Sequence, residues 1–84
     1  MRLDKFLKVS RIIKRRTIAK SVSDLGFIKI NDRIAKPSNE VKVGDILELS
    51  LGERLLTVRI KNITNKTSKE AALEMFEILD DKSI

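Results

Sequence analysis

Lys14-Arg15-Arg16-Thr17 is the centre of the stretch whose residue types point most directly to a chemistry, the binding of a polyanion. Residues 1–36 carry eleven Lys/Arg against three Asp/Glu, a balance of +8, whereas residues 37–84 carry seven against nine, a balance of −2. The formal charge of +6 on the whole chain therefore hides a sharp asymmetry, with an electropositive surface expected at the front. Other chemistries lack their parts. There is no His and no Cys, which removes the usual zinc ligands and imidazole bases. The three glycines are isolated, so no glycine-rich phosphate cradle can form. No pair of carboxylates sits in an apolar setting that would raise its pKa. Catalysis, a metal and a cofactor are not expected.

The 84 residues are enough for one small domain, which buries only about 60–65% of the surface its unfolded chain exposes. With no cysteine there is no disulfide to add stability, which fits a reducing cytoplasm. Lys and Arg recur through the first sixteen residues and interrupt any apolar run, so a secretory leader is not expected. No segment approaches the roughly 18–20 apolar residues of a membrane span.

The elements that must position the cations follow from periodicity. From Arg2 to Val9, Leu3, Phe6 and Leu7 share one helical arc while Arg2, Lys5 and Lys8 share the other, opposed only by Asp4. A solubility face normally mixes signs, so this near single-signed arc reads as a binding face. The phase breaks at Ser10. A second helix is predicted with Thr17 as N-cap, an apolar stripe of Ile18, Ala19, Val22 and Leu25, and Gly26 just past its end. Lys14, Arg15 and Arg16 then crowd a helix N-terminus, where the macrodipole favours acidic residues. Accepting that cost fits an anion site made of free backbone N–H groups and guanidinium groups.

After Gly26 the period becomes two. Phe27–Ile30 reads as a strand, Asn31-Asp32 as its turn and Ile34–Lys36 as a short return. Val41 and Val43 lead through the Gly44-Asp45 turn to a hairpin. In it Leu47, Leu49 and Leu51 pair across Gly52-Glu53 with Leu56, Val58 and Ile60. After the polar Thr64–Thr67 connector, a capping box with Thr67 at N-cap and Glu70 at N3 predicts a last helix to about Leu79. Ala72, Met75, Phe76 and Leu79 form its buried stripe. The acidic residues Glu70, Glu74, Glu77, Asp80 and Asp81 should turn this end away from a nucleic acid.

The motifs RLDKFLK, R-x-x-K-R-R-T-x-A, G-x-I-x-I-N, K-P-S and V-x-x-G-D-x-L-x-L, in that order, resemble the RNA-binding domain named after ribosomal protein S-four. The match spans roughly residues 1–52. The short chain is similar to the stand-alone members, the bacterial heat-shock-protein-fifteen group and the Gram-positive ribosome-associated quality-control factors that bind P-site tRNA. The lack of a long charged C-terminal extension favours the latter. The resemblance implies an α+β fold, with two N-terminal helices packed on a small, mostly antiparallel sheet (the S-four-like αL motif) plus a C-terminal helix. Residues 1–63 would be the S-four-like domain, and 64–84 a connector and helix packed on the same core.

The resemblance further implies a non-catalytic factor that binds the large ribosomal subunit, through ribosomal RNA and P-site peptidyl-tRNA, in quality control of stalled translation. It would assist C-terminal alanine tailing beside the tailing factor that recruits alanyl-tRNA, as a cytoplasmic, ribosome-associated monomer. Positions matching the family's basic face are Arg2, Lys5, Lys8, Arg11, Lys14, Arg15, Arg16 and Lys20, with Asn31, Lys36 and Ser38 on the hairpin side. Asp4 would orient a neighbouring Arg, and Ile28 belongs to the core. Phe27 departs from the polar residue common in the broader family.

Composition agrees with structured RNA. The only aromatics are three Phe, too few for the stacking platforms that single-strand readers use. The alternatives are a structural or assembly ribosomal-RNA-binding protein without a tRNA role, and a membrane-surface protein using the first helix as an anchor. The latter has an apolar arc of only three residues, which the core also requires.

Overall fold

The computed structural model describes residues 1–66 and 68–83. The elements in chain order are α1 (Leu3–Val9), α2 (Arg16–Asp24), β1 (Ile28–Ile30), β2 (Arg33–Ile34), β3 (Ile46–Leu51), β4 (Arg54–Ile60), α3 (Lys69–Leu73) and β5 (Phe76–Ser83). The strands form one antiparallel sheet of order β2-β1-β3-β4-β5. The alternation read from the sequence sets its two faces. Ile28, Leu49 and Leu56 lie opposite one another across β1, β3 and β4, and Ile30, Leu47 and Val58 form the next row. All but the partly buried Ile30 are buried. They join Leu3, Phe6, Leu7 and Val9 of α1, together with Ile13 and Ala19, in one core. The α+β architecture expected from the chain is present.

The turns follow local chemistry. Asn31 and Asp32 both have positive φ (49° and 69°), as a two-residue hairpin turn of the primed type requires. The α1–α2 connection begins at Arg11, whose φ of 61° places a non-glycine residue in the left-handed region. The helix break expected at Ser10 is thus a real change of backbone direction.

Three expectations are corrected. First, α2 begins at Arg16 with Arg15 as N-cap and no side-chain cap, two residues earlier than the N-cap predicted at Thr17 implies. Second, only part of the expected stripe of α2 faces inward: Ala19 is buried together with Ser23 and Val22 packs against the core, while Ile18 and Leu25 are 50% and 66% exposed. The small residues at i and i+4 let the helix approach its neighbours closely, and the Ser23 hydroxyl is satisfied by donating to the Ala19 carbonyl at 2.7 Å. Third, the C-terminal helix ends at Leu73 instead of near Leu79, and Phe76–Ser83 is the fifth strand. Without β5, the seven-residue β4 would present an unpaired edge of N–H and C=O groups. Cross-strand ion pairs reinforce the pairing, Arg54 to Asp81 through both Nε (2.8 Å) and Nη2 (2.7 Å), and Arg59 to Glu77 at 2.7 Å. The hydrogen bond from Arg54 holds the Asp81 carboxyl below its ordinary range. Ala72 and Met75 are buried as expected, whereas Leu79 falls at the bulge where the β4–β5 register shifts and is exposed. The cap expected at Thr67 lies outside the described residues. α3 is capped by Ser68, whose Oγ accepts from the Ala71 N–H at 3.2 Å.

Candidate nucleic-acid interface

The N-terminus of α1 is held from outside by the 36–39 loop. The Leu3 and Asp4 amides donate to the carbonyls of Asn39 (2.8 Å) and Pro37 (3.2 Å), and Arg2 forms an isolated bridge with Glu40. The loop is in turn braced by the Asn39 side chain, which accepts from the Lys36 amide at 2.7 Å. The fold thereby brings Lys36 and Ser38, distant in sequence, against the end of α1 that carries Arg2. Both are exposed.

At this junction lies Asp4, whose side chain is only 3% exposed. Its Oδ2 accepts from Arg2 Nη2 at 3.1 Å, and its Oδ1 accepts from Arg16 Nη2 at 3.4 Å and from the Lys5 amide at 2.8 Å. A carboxylate removed from water needs such partners, and its place in the first turn of α1 adds favourable dipole energy. Arg2 and Arg16, on different helices, are thereby pinned side by side. Both side chains are 48% exposed, and each spends only Nη2 on Asp4. The other N–H groups of each guanidinium are not used on Asp4. Two cations about one anion leave a net positive centre with prearranged donors, which suits a phosphate or other oxyanion.

The remaining cations extend from this centre. Lys5 is partly exposed and Lys8 exposed on the outward arc of α1, and Arg11, Lys14, Arg15 and Lys20 are exposed on the connection and α2. The first turn of α2 contains no acidic residue and no side-chain cap, so its leading amides are not spent on a protein side chain. Asn31 is different in character. Although exposed, its Nδ2 donates to Asp45 at 3.0 Å and its Oδ1 accepts from the Ile46 amide at 2.9 Å, so its amide already ties the β1–β2 turn to the start of β3. Ile28 is fully buried, in the core as expected, and Phe27 is 47% exposed at the α2–β1 corner. Among the described residues there is no group of His, Cys, Asp and Glu able to hold a metal ion. Nor, among the described residues, is any helix long and apolar enough to cross a membrane.

Two helices carrying a single-signed cationic face beside a small antiparallel sheet define a class of RNA-binding module, and residues 1–47 match the S4 domain. The chain belongs to the S4-domain family. Within that family it is 51% identical over 84 residues to the RQC P-site tRNA stabilizing factor of Bacillus subtilis (strain 168), the match covering 100% of this chain and 98% of that one. It is 50% identical over 84 residues to the protein of the same name from Streptococcus pneumoniae (strain ATCC BAA-255 / R6), covering 100% of this chain and 96% of the other. Among solved structures, Vibrio cholerae Heat Shock Protein 15, described as trimeric, superposes with a TM-score of 0.85 at 29% identity. That match covers 93% of this chain and 80% of the other. The resemblance read from the spaced motifs is borne out.

Proposed function

We propose that the protein is a non-catalytic RNA-binding factor of ribosome-associated quality control that stabilises P-site tRNA on the large ribosomal subunit. It contacts ribosomal RNA and peptidyl-tRNA after translation has stalled, and it assists C-terminal alanine tailing beside the factor that recruits alanyl-tRNA. It acts in the cytoplasm, associated with the ribosome. The observation that carries this reading is the Arg2–Asp4–Arg16 centre, set in a cationic face, in a chain half identical along its full length to factors named for stabilising P-site tRNA. Arg2, Arg16, Lys5, Lys8, Arg11, Lys14, Arg15 and Lys20 meet phosphates, with Lys36 and Ser38 at the margin. Asp4 positions the two arginines and Asn31 shapes the hairpin. A face without stacking aromatics reads the shape and backbone of folded RNA.

Affinity should therefore be dominated by release of counterions. Filter binding of a tRNA transcript over a salt series is expected to give a steep linear fall of log affinity with log salt, with a slope of about 0.7–0.9 per phosphate neutralised. A flat series would contradict the proposal.

A further inference from the structure

A second concentration of charge lies at the other end of α1. Lys8, Val9, Arg11 and Lys14 line a cleft of about 550 Å³ together with Lys69, the first residue of α3. Lys69 lies outside the matched S4 domain, in the C-terminal segment that the charge balance marks as acidic. Among the described residues that line it, four are cationic and none is acidic. Gathering like charges around one concavity raises the electrostatic potential there. The backbone also departs from its preferred region at Arg11 (φ 61°), within the connection that builds the cleft wall. The volume lies in the range of small-ligand sites, enough for a phosphodiester with its flanking ribose.

We propose that this cleft binds a backbone phosphate of the RNA, and that Lys69 is a contact residue which extends the RNA-binding face from the S4 domain onto the C-terminal segment. This rests on the RNA-binding reading above and adds a residue and a place to it. The ligand chemistry is a phosphodiester within a polynucleotide, and free inorganic phosphate is the competing source.

The test is the salt series on the full-length chain with a tRNA transcript, comparing Lys69→Gln, Lys69→Arg and Lys82→Gln. Lys82 carries the same charge outside the cleft. Lys69→Gln should lower affinity roughly three- to tenfold and make the salt slope shallower by about 1. Lys69→Arg should keep the wild-type slope, and so should Lys82→Gln. Equal behaviour of Lys69→Gln and Lys82→Gln, with the wild type still binding RNA, would overturn the proposal and leave the general reading standing. Loss of RNA binding by the wild type itself would overturn both. Calorimetric titration with inorganic phosphate alone should show no saturable binding. Tight saturation by phosphate, with the RNA slope indifferent to Lys69→Gln, would make the cleft a free-anion site and overturn the proposal.

Discussion

Replacing Arg2 or Arg16 by Ala should lower affinity for tRNA about ten- to one-hundredfold each, because a charge-assisted guanidinium–phosphate contact contributes about 1.5–3 kcal/mol. Stability should respond differently. Either single replacement leaves Asp4 with the other guanidinium and with the Lys5 amide, and so should cost less than about 1 kcal/mol. The double replacement strands a carboxylate that is 3% exposed, with one backbone amide for company. Removing the partners of a buried charge costs several kcal/mol. Here the arginines are half exposed, so screening reduces the expected loss to about 1–3 kcal/mol, still more than the two single effects combined. Adding Asp4→Asn to the double replacement should recover most of that stability and none of the RNA affinity. Thermal melts and filter binding on the same set of variants separate the two roles. Additive stability losses, or recovery of RNA binding by Asp4→Asn, would show that Asp4 does not act by holding the two arginines.

The largest effect on folding is expected at Phe6, which has no exposed surface and lies within the core formed by α1 and the inner sheet face. Phe6→Ala should cost about 3–5 kcal/mol, the transfer of the ring plus the cavity left behind. A domain of 84 residues has a total stability of roughly 4–13 kcal/mol, so this one change removes a large share of it. Urea denaturation should show a strongly lowered midpoint with an unchanged slope. The Phe6 amide closes the first turn on the Arg2 carbonyl at 2.9 Å, so loss of α1 would also release Arg2. A midpoint close to wild type would place Phe6 outside the packing described.

What the sequence disclosed depends on the range of each signal. The apolar arc of α1, the Asn31-Asp32 and Gly52-Glu53 turns and the alternation of β3 and β4 are local patterns, and they appear where periodicity places them. The rotation of α2 was not legible in the same way. Ile18, Ala19, Val22 and Leu25 all fit one apolar stripe, and only tertiary packing turns Ala19, Val22 and Ser23 inward and leaves Ile18 and Leu25 outside. At the C-terminus, Ala72, Met75, Phe76 and Leu79 satisfy helical spacing. The competing demand, pairing of the β4 edge, comes from residues well before them in sequence, Arg59 lying 18 positions before Glu77 and Arg54 27 before Asp81. Of the interface, the cationic face was readable from α1 and the Lys14–Arg16 run. The bridge from Asp4 to Arg16 spans twelve positions and two helices, so spacing alone could not specify it. Lys69 had no signal at all, because it lies in the half of the chain with a negative balance and comes beside Lys8, Arg11 and Lys14 only through the fold.

The central claim is association with tRNA-bearing large subunits, and sedimentation of ribosomal particles on a sucrose gradient tests it most directly, with the co-sedimenting RNA sequenced. The protein is predicted to peak with free large subunits that carry tRNA, and Arg16→Ala to leave that peak. Migration with small subunits or whole ribosomes, or absence from every ribosomal fraction, would contradict the account.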